Sequence, residues 1–375
     1  MKIAFDLRRI GNPGIGRYMK CLTESIVAQA PEHEYLLILP PQGEQLVHAP
    51  NAQKLCIGLK YYSFREQFEL PRILNRHKVD LLHGPHFLLP LVRPCPTVAT
   101  IHDVIYMACP QDLPSLAGRL YYRAMMTACS RMATRIITDS EHSKAEITRY
   151  LHSDPSKIEV VYPAVDPFFQ SGADPAAVSS VHSRFGIDHD YLLCVGIYKP
   201  RKNHAGLLKA FQLLSKSGTQ SQLVIAGPMA EAEHILRALA QKLGIAQRVI
   251  FTGFVSDADL RALYSGARVC VCPSLYEGFG FTVLEAMACG TPVVCSSATS
   301  LPEVAGKAAL YFDPFKPEEI AVQLGCALTD AAVRASLVAA GRTNLLRFNW
   351  EKTARQTLAV YHQALQLPLP KAAYA

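Results

Sequence analysis

The chain has 375 residues, half of them hydrophobic and 18% charged, with a formal charge of +7. That length exceeds one ordinary core and predicts two domains, while no apolar run approaches the ~20 residues of a membrane span. The charge is spread evenly, with 19 Lys/Arg against 16 Asp/Glu up to residue 170 and 19 against 15 beyond it, so nothing except net charge speaks for nucleic acid. The N-terminal MKIAFDLRRI turns charged too early for a signal peptide and predicts a cytosolic chain. Of the 11 cysteines, Cys270 and Cys272 are closely spaced, but they fall in an apolar run. Buried reduced thiols are the expectation, ahead of a zinc site.

Read in order, KIAFDL (2–7) is a strand pattern, GNPGIG (11–16) a glycine-rich turn, and about Arg17 to Gln29 an amphipathic helix. Strand patterns recur at 34–40, 79–84, 96–103 and 134–140, with helical patterns between most of them, as in Leu116 to Met132. A polar stretch with Pro155, Pro163 and Pro167 closes the first half. The second half repeats the theme at 191–197, 221–227, 248–254, 267–272, 291–296 and 308–313, and an amphipathic helix pattern runs from Trp350 to Gln366. Alternating strands and helices give parallel sheets covered on both faces, here α/β with two Rossmann-like doubly wound halves. A ligand cleft is expected between the halves, at the carboxyl ends of their strands.

The stretch Pro273 to Gly306, PSLYEGFGFTVLEAMACGTPVVCSSATSLPEVAG, organises the rest. A glycine-punctuated turn carries Glu277, Gly278, Phe279 and Gly280; a helical pattern from Phe281 to Ala288 carries Thr282 and Glu285. Glycines let backbone approach a ligand, and the N–H groups that open a helix stabilise an anion. The stretch therefore reads as a phosphate site flanked by two carboxylates. Arg201 and Lys202 follow the first strand of the second half, where a loop faces the cleft and two cations suit a diphosphate leaving group. Gly14 and Gly16 lie in the first strand-to-helix loop, but Gly11, Gly14 and Gly16 do not make a dinucleotide fingerprint. His102 ends an apolar strand; Asp103 beside it either orients the ring or caps the next turn. Asp257-Ala-Asp259 precedes a helix, so Ser256 or Asp257 as N-cap explains it better than a metal. Residues 60–78 mix Tyr61, Tyr62, Phe64 and Phe68 with Lys60, Arg65, Arg72, Arg76 and Lys78. They read as a core helix with a solvated basic face or, as the less favoured alternative, a surface lying on a membrane.

Set in order, GIGRY (14–18), TIHD (100–103), TDSEHSK (138–144), VYPAVD (161–166), VGIYKPRKN (195–203), FTGFV (251–255), EGFGFTVLEAMACGTPVV (277–294) and LPEVAG (301–306) cover nearly the whole chain. Together they resemble the retaining GT-B glycosyltransferases of family 4, group 1. The resemblance implies an acceptor domain at 1–168, a nucleotide-sugar domain at 169–348 and a C-terminal helix at 349–375 packing back on the first. It implies that Glu285 holds the ribose, Glu277 and His102 the transferred sugar, and Arg201, Lys202, Gly14, Gly16 and the turn at Gly280 the diphosphate. Ile197 stands where many relatives carry an arginine, so Arg201 would supply that guanidinium. His83 and His86 are weaker acceptor-side candidates. Val255 and Asp257 would border the base, and an Asp there mildly favours guanine. The implied reaction moves a hexose, mannose first, from GDP-mannose or a UDP-hexose to a glycan or lipid-linked glycan, without metal or cofactor. A role in polysaccharide or lipopolysaccharide synthesis, in the cytoplasm or peripherally on the inner membrane face, goes with it. An epimerase, a phosphorylase or a silent nucleotide-sugar-binding protein on the same fold are the rivals.

Overall fold

The computed structural model describes residues 1–12, 14–61, 63–228 and 233–368; Tyr62 of the aromatic segment lies outside them. The chain forms two compact units, residues 1–164 with 348–375, and 165–347.

The first unit runs β1 (Lys2–Asp6), α1 (Ile15–Gln29), β2 (Glu34–Leu39), β3 (Ala52–Cys56), α2 (Glu66–Arg76), β4 (Leu81–Gly84), β5 (Thr97–Thr100), α3 (Ile105–Ala108), α4 (Leu116–Met132), β6 (Arg135–Thr138), α5 (Glu141–Leu151) and β7 (Ile158–Val160). Its seven parallel strands are ordered β3-β2-β1-β4-β5-β6-β7, with Phe5 of β1 in register with His83 of β4. Central strands such as LLHG of β4 and TVAT of β5 are buried throughout. Neither carries a charged side chain, whereas Lys54 in β3 and Glu159 in β7 stand in the strands at the sheet edges. Helices α2, α4 and α5 cover one face through Leu70, Leu74, Met126, Cys129, Ile147 and Leu151.

In the second unit, α6 (Pro175–Phe185), β8 (Tyr191–Val195), α7 (His204–Lys216), β9 (Gln222–Ala226), α8 (Glu233–Lys242), β10 (Val249–Gly253) and α9 (Asp257–Gly266) are followed by β11 (Val269–Cys272), α10 (Phe281–Ala288), β12 (Val293–Ser296), α11 (Leu301–Ala305), β13 (Ala309–Phe312), α12 (Pro317–Thr329) and α13 (Ala331–Leu345). Six parallel strands are ordered β10-β9-β8-β11-β12-β13. Local chemistry sets the ends: α6 opens on Asp174, which accepts from Ala176 N at 2.7 Å, with Pro175 in its first turn, and it closes on Gly186 in the left-handed region.

The last helix, α14 (Trp350–Ala364), belongs to the first unit and packs on α1. Trp350, Leu358, Val360 and Tyr361 are buried. A buried side chain of this class contributes roughly 1.5–3 kcal/mol, so this face secures the helix to the sheet. Tyr361 adds a polar anchor, its hydroxyl 2.6 Å from His83 Nδ1. Among the described residues no single helix is long and apolar enough to cross a membrane.

In both sheets the strand order reverses beside the first strand, between β1 and β4 and between β8 and β11. Loops leaving the carboxyl ends of two such strands diverge and open a crevice, which is where open α/β sheets bind ligands.

Candidate active site

In the second unit the loops after β8 and β11 meet at that reversal point. Leu275 N donates to Arg201 O at 2.7 Å, tying one loop to the other. Lys202 Nζ then reaches Glu277 Oε1 at 2.6 Å, with both side chains mostly buried. Ser274 Oγ donates to the same oxygen at 2.6 Å. Burial opposes ionisation of Glu277, but the charges of Lys202 and Arg201 and the two hydrogen bonds outweigh it and hold the carboxyl below its usual range. Ser300 Oγ lies 3.0 Å from the carbonyls of both Glu277 and Phe279, and Thr299 Oγ1 accepts from Glu277 N at 3.0 Å. The turn through Gly278 is therefore fixed by the segment that enters α11.

Gly280 ends the turn at φ +105°, a conformation that suits glycine, and a Cβ there would stand 2.7 Å from Leu301 Cδ2. It opens α10, whose first turn holds no acid and no side-chain cap. An uncapped helix opening of this kind stabilises negative charge placed before it. Thr282 Oγ1 lies 3.8 Å from Cys272 Sγ, and Glu285, one turn on, is buried and accepts from Tyr264 OH at 2.9 Å. Val255 and Asp257 follow β10, two strands from β8 in the sheet. Ser256 caps α9, accepting from Asp259 N at 3.2 Å, and Asp259 pairs with Arg184 at 2.6 Å, so Asp257-Ala-Asp259 is a helix start.

The first unit gathers a second group at its own reversal point. His102, just beyond β5, has Nδ1 2.6 Å from Asp139 Oδ2, just beyond β6. Its ring stands edge-on to Tyr18, 4.8 Å between centroids, and Nε2 is 3.4 Å from Pro85 O. Burial lowers the His102 pKa, but the Asp139 charge and hydrogen bond, with Asp103, outweigh it and raise the value. Asp103 Oδ1 accepts from Ile105 N at 3.0 Å, which is the capping option for that residue. His83 is fully buried between Tyr361 OH and Thr100 Oγ1, and burial pushes it down to about 3. It is a neutral structural link to α14. His86 Nε2 takes a hydrogen bond from Arg9 Nη1 at 2.9 Å. Gly16 answers a steric demand, since a Cβ there would fall 2.0 Å from Ile10 O; Gly14, at φ +75°, starts α1.

A sequence profile described as Glycosyltransferase Family 4 matches residues 14–168, and one described as Glycosyl transferases group 1 matches 182–344. The O-antigen chain mannosyltransferase B of Escherichia coli is 34% identical over 96% of this chain and 99% of its own length. The chain belongs to the family 4, group 1 glycosyltransferases. The serotype-specific mannosyltransferase WbdA of Escherichia coli is 30% identical over 73% of the chain, which spans 34% of that longer protein. Among solved structures, the sucrose-phosphate synthase of Thermosynechococcus elongatus superposes with a TM-score of 0.78 over 98% of this chain and 99% of its own, at 22% identity. The fold is GT-B, and the chain is a glycosyltransferase.

In this glycosyltransferase the structure adds three residues to those read from sequence: Asp139 behind His102, Ser274 behind Glu277 and Tyr264 behind Glu285. Asp139 lies within TDSEHSK and Ser274 within the organising stretch, so both stood in motifs whose division of labour the sequence leaves open. Tyr264 carried no such signal.

Proposed function

We propose that this glycosyltransferase moves mannose from GDP-mannose to a hydroxyl of a growing glycan, free or lipid-linked, keeping the anomeric configuration. The observation that carries the proposal is the Lys202–Glu277 pair, held at 2.6 Å beside the uncapped opening of α10. A cation and a helix start suit a diphosphate, and a carboxylate next to them suits the hydroxyls of the sugar it bears. Glu285 accepts the ribose hydroxyls, with Tyr264 fixing its second oxygen. Val255 and Asp257 border the base, the Asp accepting from the guanine N1 and N2 donors.

In the reaction the bond from the anomeric carbon to the diphosphate oxygen breaks as negative charge grows on that oxygen. Arg201, Lys202 and the α10 opening take up the charge. The acceptor hydroxyl attacks from the side the diphosphate leaves, and its proton passes to the departing oxygen. His102, oriented by its hydrogen bond to Asp139, donates to the transferred sugar. Because side chains and a helix opening neutralise the diphosphate, a chelator leaves turnover unchanged. Mannose as the sugar is supported by the two mannosyltransferase relatives.

A thermal-shift screen of nucleotide sugars tests the donor, since a ligand specific to the folded state raises its melting point with affinity. GDP-mannose is expected to give the largest shift, and Asp257→Ala to narrow the gap between GDP and UDP. A shift with UDP-hexoses and none with GDP-mannose would replace the donor.

A further inference from the structure

A buried string of polar side chains runs from α14 to the His102 ring, all of it inside the first unit. Tyr361 OH lies 2.6 Å from His83 Nδ1, His83 Nε2 lies 2.9 Å from Thr100 Oγ1, and that hydroxyl lies 3.3 Å from Tyr18 OH. Tyr18, Thr100, His83 and Tyr361 are at most 1% exposed, so bulk water does not compete for these bonds. Phe5 packs on the first two rings, 5.6 Å from His83 and 6.3 Å from Tyr361 between centroids. Burial keeps His83 neutral, and a neutral imidazole has one N–H and one lone pair. It donates to one neighbour and accepts from the other, which couples the two hydroxyls it joins.

At the far end Tyr18 meets His102 edge to face, with ring planes at 88° and centroids 4.8 Å apart. This contact supplies what the hydrogen bond to Asp139 lacks. A bond from Nδ1 to one carboxylate oxygen fixes one ring atom while the plane can still tilt about it; a perpendicular ring in contact fixes the plane. The plane decides where Nε2 points. With Nδ1 taken by Asp139, Nε2 is the nitrogen that can reach a sugar hydroxyl, its contact with Pro85 O being a long 3.4 Å. Tyr18 is in turn held twice from α14: through the string to Tyr361, and by Trp350, whose ring lies 6.0 Å away.

We propose that Tyr18 and Thr100 are positioning residues for His102 and that Tyr361 sets them from α14, so that the C-terminal helix acts on the sugar-transfer step through that ring. The proposal rests on the reading of His102 as the group that donates to the transferred sugar. Apolar groups of the same shape would pack in the place of these side chains with little loss of stability. Directional bonds hold the ring to one orientation instead.

The test is NMR of the full chain with isotopically labelled histidine rings, the His102 signal being assigned by its absence in His102→Ala. Thr100→Val, which keeps the shape and removes the hydroxyl, and Tyr361→Phe, at the remote end of the string, should both displace that signal. Thr100→Ser restores a hydroxyl and should return it to the wild-type position. Leu358→Ala, also buried on α14 but outside the string, should lower the melting temperature and leave the signal in place. Turnover, followed as GDP release from GDP-mannose, should fall roughly fivefold in Thr100→Val and in Tyr361→Phe with donor KM unchanged, the scale of one hydrogen bond. In the His102→Ala background the same changes should cost nothing further, since they act through the missing ring. The ring signal needs neither donor nor acceptor, and Thr100→Val decides the matter if Tyr361→Phe fails to fold. An unmoved signal in both variants, an equal displacement in Leu358→Ala, or the same loss of turnover with and without His102 would each overturn the proposal while leaving His102 in its role. His102→Ala that turns over like wild type would overturn that role and the proposal with it.

Discussion

Asp139 faces His102 across the ends of neighbouring strands, Oδ2 to Nδ1 at 2.6 Å, while the adjoining Asp103 accepts from Ile105 N. Asp139→Asn removes the largest influence that raises the His102 pKa, so that pKa falls. With the imidazolium as the working form, turnover is lost as pH rises through the His102 pKa, and the variant's limb moves to lower pH. His102→Ala should cost about 10²-fold or more in kcat with little change in donor KM. An NMR titration of the His102 ring in both proteins checks the shift; an unmoved pKa sinks the assignment.

The same pair contributes to stability with a definite sign. A histidine whose folded pKa is raised stabilises the fold fully below its unfolded value of about 6.5, and that contribution is lost as pH climbs through the folded pKa. Wild type should therefore exceed Asp139→Asn in melting temperature most at mildly acidic pH, with the gap closing toward alkaline pH.

Removing Lys202 leaves Glu277 as a buried carboxylate without its nearest cation. Lys202→Ala should cost about 3 kcal/mol of stability, and the double change with Glu277→Gln less than the sum of the two singles. Because the Glu277 pKa is depressed, its contribution is present above the unfolded value of about 4.3 and lost as pH falls through the folded one. Denaturant titrations of the four proteins at neutral and acid pH measure both effects.

Tyr264→Phe strips Glu285 of one hydrogen bond while keeping the ring, and should weaken nucleoside diphosphate binding a few-fold. Glu285→Ala removes the carboxylate itself and should weaken binding by about tenfold or more, in line with hydrogen bonds to a charged group. Calorimetry with GDP measures both; equal affinities in all three proteins would remove Glu285 from the ribose.

The two tight glycines should differ in kind. At Gly16 a Cβ meets the fixed carbonyl of Ile10, so Gly16→Ala must displace the loop that starts α1, at a cost of about 1–3 kcal/mol. At Gly280 it meets a leucine methyl that can swing aside, and the residual cost is that of holding alanine at positive φ, about 1–2 kcal/mol. Melting temperatures of the two variants test the ranking, and donor affinity should fall for Gly280→Ala.

The fold was legible wherever burial is complete. Each central strand announces itself as an apolar run because both of its faces are covered, and α4 and α10 have the bounds their periodicity predicts. AQKLC of β3 is half-buried at a sheet edge, and IEV of β7 is three residues long at the other, so neither carries that signal. The unit boundary at Ala164 and Val165 precedes the expected 168, inside the proline-rich stretch where local pattern is weakest. In the site, Glu277 and Lys202 stand in recognisable loops and Glu285 in a recognisable helix, but their partners are set by tertiary adjacency. Sequence proximity favours Asp103 for His102; strand order brings Asp139 instead.

The division of the chain into 1–164 with 348–375, and 165–347, also fixes an order of assembly. During synthesis the first sheet emerges early but waits for α14, whose Tyr361 closes on His83, until the whole second unit has left the ribosome. The second unit, continuous in sequence, is complete first. A polypeptide shortened before Phe348 would therefore spare the later-made unit and leave the earlier-made one unfinished.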